Sequence, residues 1–148
     1  MLQGENLTLT YQDGQTTLDA VDDVSIAVED HQFIGILGPS GSGKSSLLYL
    51  LSGLRRPTQG EIYLDGRAYG KMSSRERVAL RRHEYGFVFQ QHFLINYLTA
   101  LENVMVAAPL QGKAHAEQAK ALLADLGLGD KLHRFPYELS GGERQRVA

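Results

Sequence analysis

Three glycines and a lysine lie close together between Gly38 and Ser45, in the order Gly-Pro-Ser-Gly-Ser-Gly-Lys-Ser. This is the pattern G-x-x-x-x-G-K-[ST], in which glycines let the backbone curl until successive N–H groups point at phosphate oxygens. Lys44 can reach the β- and γ-phosphates of a nucleotide, and the Ser45 hydroxyl can ligate Mg²⁺. The start of a helix adds roughly half a positive charge there. The residues therefore predict a phosphate-binding loop rather than a plain turn with a surface lysine.

A second glycine motif, Leu139-Ser-Gly-Gly-Glu143, lies near the end of the sequence. Ser140 is a good N-cap, so the two glycines fall in the first turn of a predicted helix. Glycine inside a helix costs about 1 kcal/mol relative to alanine, so two in succession indicate that the backbone approaches another group closely. Free N–H groups and the helix dipole favour an anion there. The alternative is an ordinary serine-capped helix with loop glycines.

The elements that must position the first loop follow from the pattern of apolar residues. A continuous apolar run, Phe33–Leu37, precedes the loop and predicts a strand buried on both faces. Leucines on one face predict a helix over Lys44–Leu54 after the loop. Alternating apolar and polar residues predict two further strands, Leu7–Tyr11 and Val24–Val28. A third is predicted over Glu61–Leu64, because the turn pair Asp65-Gly66 follows it.

The later part of the sequence is mostly helical in character. Ser73 and Glu76 have the spacing of a capping box and predict a helix over Ser74–His83, and the apolar segment Tyr85–Phe89 predicts one more strand. Further helices are predicted over Leu101–Ala108, over Ala114–Leu126 and from the cap Ser140 to Ala148. We therefore predict an α/β fold, with strands and helices mixed over residues 1–90 and a helical subdomain over residues 91–148.

Composition excludes several classes of protein. The 148 residues contain no cysteine, 16 glycines, and 15 Lys and Arg against 17 Asp and Glu, for a net charge of -2. The lack of cysteine excludes disulfides, thiolate metal sites and a cysteine nucleophile. The near-neutral balance argues against a nucleic-acid partner bound through bulk charge. No apolar stretch approaches the roughly 20 residues of a membrane helix, so we expect a protein that is soluble or reaches a membrane through a partner.

A chain that contains both glycine motifs resembles the ATP-binding subunit of ABC transporters. The resemblance extends over the whole length of this sequence. The resemblance implies a P-loop NTPase core with an antiparallel β subdomain and a helical subdomain. It equates Leu139–Glu143 with the signature motif, in which Glu143 stands where glutamine is commoner. It equates the first loop with Walker A, whose expected ATP-binding residues are Gly38, Pro39, Ser40, Gly41, Ser42, Gly43, Lys44, Ser45 and Ser46.

The resemblance also implies that ATP is shared between two subunits. In the family, the signature motif is offered across a head-to-tail dimer to ATP held in the other subunit's Walker A loop. The residues expected to face the γ-phosphate in this way are Ser140, Gly141, Gly142 and Glu143. The implied cofactors are ATP and Mg²⁺, and one implied partner is a second ATP-binding subunit.

Two single residues acquire a role only from the resemblance. Gln90, in Phe87-Val-Phe-Gln, matches the Q-loop glutamine, whose amide ligates Mg²⁺ and senses the attacking water; taken alone, it would be a solvated strand end. Tyr11 matches the aromatic residue that stacks on adenine; taken alone, it would be a packing residue. Stacking of this kind is worth roughly 1–3 kcal/mol with nucleic-acid bases. Lys44 and Gln90 are thus the expected catalytic residues, and Ser45 and Gln90 the expected Mg²⁺ ligands.

The stretch from Gln91 to Met105 resembles the subgroup of exporters that handles lipoproteins, macrolides and antimicrobial peptides. In the family this region lies beside the groove that receives the permease, so the implied second partner is a transmembrane permease subunit. The implied location is the cytoplasmic face of the cell membrane, held there through the permease. The alternative is that the apolar residues of the stretch are subdomain core: Phe93, Leu94, Ile95 and Leu98.

The family's ATPase needs residues that this sequence does not contain. After the signature helix, an apolar strand ending in Asp-Glu supports Mg²⁺ and polarises the attacking water, and a later histidine contacts the γ-phosphate. We therefore expect part of a longer or split subunit, cut before the Walker B strand, in which Phe33–Leu37 exposes an apolar face. We expect this chain alone to bind ATP without turnover. The alternatives are a non-hydrolysing nucleotide-binding module and a soluble ABC-type ATPase acting on nucleic acid or ribosomes.

The remaining polar candidates have plain interpretations. Two arginine pairs, Arg55-Arg56 and Arg81-Arg82, are predicted to be solvated, with contact to anionic lipid as the alternative. The histidines show no metal-ligand spacing and are expected at the surface or in packing: His31, His83, His92, His115 and His133.

Overall fold

Alternating apolar and polar residues at the start of the chain form two long antiparallel strands, β1 (Leu2–Asp13) and β2 (Thr16–Val28). Their pairing runs from Leu2 opposite Val28 to Asp13 opposite Thr16, with three irregularities between. The computed structural model describes residues 1–107 and 113–148. Both strands are longer than the alternation predicts, because a ladder continues wherever two backbones stay in register and does not need an apolar side chain at every second residue.

Two shorter strands, β3 (Gln59–Leu64) and β4 (Arg67–Ala68), are joined by the predicted turn. They complete a four-stranded antiparallel sheet in the order β2-β1-β3-β4. Side chains on one face of the sheet pack against helices to form the core of the first of two units, Met1–Gly86. The buried residues of that core are Leu7, Leu9, Val21, Leu50, Leu51, Ile62, Tyr69 and Leu80.

Two helices belong to this first unit. Helix α1 (Lys44–Leu51) follows the phosphate-binding loop and is three residues shorter than predicted, since Ser52 and Gly53 turn the chain. Helix α2 (Ser74–Glu84) begins at the predicted capping box. The Ser73 hydroxyl accepts a hydrogen bond from the Glu76 N–H at 3.3 Å, and the Glu76 carboxylate accepts one from the Ser73 N–H at 2.7 Å. A single 3₁₀ turn, Tyr69–Lys71, links β4 to α2.

Two predicted strands are wrong. Neither Phe33–Leu37 nor Tyr85–Phe89 is a strand, because no strand within residues 1–107 or 113–148 pairs with either segment. The Phe33 side chain is 97% exposed and that of Leu37 93%. An apolar run indicates only that a segment would fit a buried strand, whereas the strand itself requires a neighbour to accept and donate its ladder hydrogen bonds.

The second unit, Phe87–Ala148, is built from helices. They are α3 (Ala100–Ala107), α4 (Lys113–Asp125) and α5 (Gly141–Val147), with a 3₁₀ turn at Pro136–Glu138. Each matches a predicted helix to within one or two residues, although Ala108, the predicted end of the first, lies outside the described residues. Their apolar faces form a separate core: Ala100, Leu101, Ala119, Leu123, Leu128, Leu139 and Val147.

The C-terminal end of α1 is held by several side chains of the first unit. The Leu51 carbonyl accepts hydrogen bonds from the hydroxyls of Tyr69 at 3.4 Å and Tyr85 at 3.1 Å, and these hydroxyls also bond to each other. The Arg81 guanidinium donates to the Gly53 carbonyl at 2.9 Å. Burial raises the pKa of both tyrosines, so both hydroxyls remain protonated donors at neutral pH.

Candidate functional site: a phosphate-binding loop and a glycine-capped helix

The loop before α1 turns tightly because three of its glycines have positive φ: Gly38, Gly41 and Gly43. At Gly43, φ is 79°, and a Cβ atom would strike the carbonyl oxygen of Ala20 on β2. Gly43 is also the N-cap of α1 and offers no side chain to the first turn of the helix. The backbone of β2 thus passes directly against the loop, and only glycine fits between them.

The Lys44 side chain folds back into the curl of the loop. Its ammonium donates hydrogen bonds to the carbonyl oxygens of Gly38 at 2.9 Å and Pro39 at 2.6 Å, and to the Ser42 hydroxyl at 3.4 Å. All three acceptors are neutral, and an ammonium group gains more from an anionic acceptor. The loop therefore holds a positive charge at its centre that can exchange neutral oxygens for phosphate oxygens.

The first turn of α1 has free donors beside this charge. No described residue accepts a hydrogen bond from the backbone N–H groups of Lys44, Ser45 or Ser46. The same turn contains no acidic side chain. Unpaired N–H groups at a helix N-terminus, together with the lysine, are what a phosphate group requires. The exposed Ser45 side chain supplies a hydroxyl oxygen, a hard ligand of the kind that Mg²⁺ prefers.

The structure adds residues to this site that the sequence did not predict. A cleft of about 320 Å³ is lined by Gly41 to Lys44 on one side and by Asp19 to Asp22 of β2 on the other. The sequence pattern predicts a strand only over Val24–Val28, so it assigns Asp19 to Asp22 neither to a strand nor to the site. Only the close approach of Ala20 to Gly43 brings the two segments together.

Tyr11 lies near the end of β1, opposite Leu18, where its half-buried ring packs against the sheet core. The guanidinium carbon of Arg55 lies 5.6 Å from the centre of the ring. This is a cation–π distance, so the Arg55 side chain, which is exposed as predicted, also contacts the Tyr11 ring. Tyr11 belongs to the same unit as the phosphate-binding loop and keeps a partly accessible ring, which is compatible with stacking on a base.

The second motif forms a capping box at the start of α5. The Glu143 N–H donates to the Ser140 hydroxyl at 3.2 Å, and the Ser140 N–H donates to the Glu143 carboxylate at 2.7 Å. The Ser140 backbone N–H, followed by its hydroxyl, holds the pKa of Glu143 below its usual range. Arg144 secures the preceding turn by donating to the carbonyl oxygens of Leu139 at 2.8 Å and Pro136 at 3.2 Å.

The glycines of this second motif are not required by the part of the chain that the structure describes. A Cβ atom on Gly141 would meet nothing within 4 Å, and one on Gly142 would lie 3.8 Å from the Arg146 guanidinium, an ordinary contact. Neither glycine has a φ in the left-handed region. Alanine would fit both positions, so any need for glycine comes from outside these residues.

Gln90 lies on an exposed bend of the second unit, after the predicted strand that does not form. Beside it, the ring of Phe89 makes an edge-to-face contact with Phe93, with 5.3 Å between centroids. Phe93 is 68% exposed, whereas Leu94 packs against the helical core. The apolar residues after Gln90 were interpreted either as a surface for a permease or as subdomain core. Leu94 belongs to the core, and Phe93 faces outward.

Asn103 is a structural residue that sequence reasoning missed. Its side-chain oxygen accepts a hydrogen bond from the Ile95 N–H at 2.7 Å, and its nitrogen donates to the carbonyls of Ile95, Leu98 and Thr99. One amide therefore shapes the whole turn that leads into α3. An asparagine just inside a helix, after a Thr-x-x-Glu box at Thr99, is the pattern that points to such a role.

Metal ligation by clustered side chains has no support in the described ranges, where no group of three His, Cys, Asp or Glu residues could hold an ion. No helix in these ranges is long and apolar enough to cross a membrane.

Comparison with known proteins decides the family. The model of the ABC transporter family matches residues 21–148. The chain belongs to this family. A lipoprotein-releasing system ATP-binding protein, LolD of Aquifex aeolicus, is 51% identical over 128 residues, 84% of this chain and 57% of that protein. An uncharacterised ABC transporter ATP-binding protein of Methanocaldococcus jannaschii is 43% identical over 151 residues, covering 100% of this chain and 67% of the relative.

Solved structures of ABC cassettes confirm the predicted fold class. The ATP-binding cassette MJ0796, solved as a dimer in a post-hydrolysis state bound to ADP and Pi, superposes with a TM-score of 0.91 at 36% identity, over 99% of this chain and 66% of that one. Segments Phe33–Leu37 and Tyr85–Phe89 lack strand pairing within this fold. The chain spans 57–67% of the length of the curated relatives it matches.

Proposed function

We propose that this ABC-family chain binds ATP and, within its complete subunit, hydrolyses ATP to drive export by a membrane transporter. The observation that carries the proposal is the phosphate-binding loop. In it the Lys44 ammonium contacts only neutral oxygens, next to three helix N–H groups without acceptors among the described residues. Such a loop satisfies its donors best with the β- and γ-phosphates of a nucleotide.

Each residue of the loop then has a definite role. The amides of Gly41, Gly43 and Lys44 bind phosphate oxygens, and the Lys44 ammonium moves from the loop carbonyls to the γ-phosphate. The Ser45 hydroxyl and the Gln90 amide oxygen are the residues that would hold Mg²⁺. When bound, Mg²⁺ neutralises charge on the β- and γ-phosphates. Of the remaining loop residues, Pro39 and Ser40 shape the turn, and Ser42 and Ser46 flank the phosphates.

Tyr11 is proposed to receive the adenine ring. An aromatic face in the same unit as the phosphate-binding loop supplies stacking, which does not depend on hydrogen-bond readout. The ring is held by strand pairing on one side and by core residues beneath it, so little conformational freedom is lost when a base stacks on it.

The signature residues are proposed to act on a second subunit. Gly141 and Gly142 have room for a larger side chain and no local need to be glycine, which fits a backbone that must approach an external anion. In a head-to-tail dimer, Ser140 and these amides would face the γ-phosphate held by the partner's Walker A loop, with Glu143 completing the cap. The related cassette MJ0796 was solved as a dimer.

A permease subunit is the proposed membrane partner, and the inner face of the cell membrane is the proposed location. Supporting this are two exposed aromatic side chains before α3, Phe93 at 68% and Tyr97 at 80%. Aromatic residues are enriched at protein interfaces. The relative LolD is named as part of a lipoprotein-releasing system, which supports an export substrate of that kind.

A non-hydrolysing nucleotide-binding module is the second candidate. Both candidates predict that the chain binds ATP, and they differ in whether a larger assembly containing it hydrolyses ATP.

Titration with a fluorescent ATP analogue tests the shared part of the proposal. We expect Lys44→Ala to weaken binding by about 10- to 100-fold, because a charge-assisted contact to phosphate is lost. Lys71→Ala, at an exposed lysine of the same unit, is the matched control and should leave the affinity unchanged. Equal affinities for the two variants would rule out the phosphate-binding loop as the ATP site. Sustained Mg²⁺-dependent turnover by this chain would contradict the expectation that it binds without hydrolysis.

A further inference from the structure

A small cavity in the first unit, separate from the phosphate-binding loop, is lined by three arginines and one carboxylate. Its volume is about 130 Å³, and its charged lining residues are Arg55, Arg56, Arg77 and Glu61. This is below the roughly 300–1,000 Å³ of pockets that enclose drug-sized ligands. The cavity therefore suits a compact group, and its charge favours an anion.

Arg77 is the unusual member of the set, because it is a buried cation, only 9% exposed, without an acidic partner. Its guanidinium donates to the Met72 carbonyl at 2.6 Å and to the Ser74 hydroxyl at 3.1 Å, both neutral acceptors. No carboxylate among the described residues lies within ion-pair distance of it. Buried charges are ordinarily paired, so an anion in the cavity would supply the missing counter-charge.

Glu61 does not neutralise the arginines. Its carboxylate oxygen instead accepts hydrogen bonds from the N–H groups of Ile62 at 2.9 Å and Gly70 at 3.0 Å. Arg55 is also engaged elsewhere, with its guanidinium over the ring of Tyr11. Arg56 and Arg77 are left as the two cations available to a ligand, and two guanidinium groups are a common way of binding a phosphoryl group.

We propose that this arginine cavity is a second anion site, which binds a single phosphoryl group through Arg56 and Arg77. The phosphoryl group can come from free phosphate or from the headgroup of an anionic lipid, since both present the same oxygens to the guanidinium groups. A nucleotide is too large to be enclosed there. None of its lining residues belongs to the phosphate-binding loop.

The test uses Lys44→Ala as the background, so that the first loop contributes little to phosphate binding. Binding of inorganic phosphate is measured by calorimetry, and binding to phosphatidylcholine vesicles with and without phosphatidylglycerol by co-sedimentation. We expect Arg56→Ala to reduce affinity for at least one of these probes by about three- to tenfold. Arg82→Ala, an exposed arginine outside the cavity, should have no effect.

The results distinguish free phosphate from a lipid headgroup as the source of the phosphoryl group. Loss of phosphate binding identifies a site for a free phosphoryl group, and loss of vesicle binding alone identifies a lipid headgroup site. Arg56→Lys, which keeps the charge but not the paired donors, should fall between the wild type and Arg56→Ala. The proposal is overturned if neither probe binds the parent protein, or if Arg56→Ala and Arg82→Ala reduce binding equally.

Discussion

The two glycine motifs of this chain use glycine for different reasons. In the phosphate-binding loop, Gly43 has a left-handed backbone and lies against the Ala20 carbonyl of a neighbouring strand. At the start of α5, Gly141 has room on every side and no unusual dihedral angle. The first glycine is demanded by the chain's own packing. The second has no such reason among the described residues, which supports the proposal that a partner approaches it.

Residues needed for folding can be distinguished from residues needed for binding by what a larger side chain would meet. Where an added side chain would collide with the protein's own backbone, stability and function are lost together. Where it would meet only solvent, a loss of function without a loss of stability indicates that a binding partner is excluded. The two motifs allow this distinction to be tested within one molecule.

The largest expected difference is in stability. Gly43→Ala forces a Cβ atom onto the Ala20 carbonyl and a side chain into a left-handed conformation, so we expect a loss of at least about 3 kcal/mol in unfolding free energy. Gly141→Ala should be neutral or stabilising by up to about 1 kcal/mol, since alanine is the better helix residue. Denaturant unfolding of both variants measures this. Similar losses for the two would remove the distinction between the motifs.

The next effect concerns association between copies of the chain. We expect Gly141→Val to weaken Mg-ATP-dependent self-association at least tenfold, because the branched side chain would block approach to a partner's nucleotide. Its own affinity for a fluorescent ATP analogue should remain that of the wild type. Sedimentation velocity with and without nucleotide measures the association. An unchanged self-association would argue against the head-to-tail arrangement, as would a wild-type chain that never associates.

The smallest effect is a difference in acid sensitivity between the two units. Hydrogen bonds from Ser140, Thr99 and Phe135 hold the pKa values of Glu143, Glu102 and Glu138 in the second unit below the usual range. A carboxyl group whose folded pKa is depressed contributes stability above its unfolded value of about 4.3, and this is lost as pH falls through the folded pKa. In the first unit, Glu76 is the corresponding helix cap.

We therefore expect the second unit to loosen first as the pH is lowered from 6 to 3. Amide signals of each unit, followed by NMR during the titration, provide the measurement. Glu143→Gln keeps an acceptor for the Ser140 N–H but cannot titrate, so it should shift the onset in the second unit to lower pH and leave the first unit unchanged. Simultaneous loosening of both units, in the wild type and the variant alike, would contradict this assignment.

Local features of the fold could be predicted from sequence, and contacts between distant segments could not. The capping box at Ser73 and the N-cap at Ser140 were predicted correctly, since the interacting groups lie within one turn of the chain. The strands at Phe33–Leu37 and Tyr85–Phe89 were predicted wrongly, because an apolar run does not reveal whether a neighbouring strand is available. A strand depends on a second segment in a way that a helix does not.

In the phosphate-binding site and its surroundings, too, local features could be predicted and contacts between distant segments could not. The G-x-x-x-x-G-K-[ST] pattern predicts the phosphate-binding loop, because the chemistry lies within eight consecutive residues. The contact of Ala20 with Gly43, the position of Arg55 over Tyr11 and the unpaired Arg77 depend on tertiary packing. No local pattern marks them, so they could be found only once the structure was known.

Helix α1 is held at both ends, by different kinds of contact. Its last carbonyl, Leu51, accepts hydrogen bonds from two phenol hydroxyls, and Arg81 donates to the turn that follows. At its first turn, Gly43 lies against the Ala20 carbonyl and the Lys44 ammonium bonds to loop carbonyls. The helix is about 12 Å long, so a single short element joins the donors of the phosphate-binding loop to the hydrophobic core of the first unit.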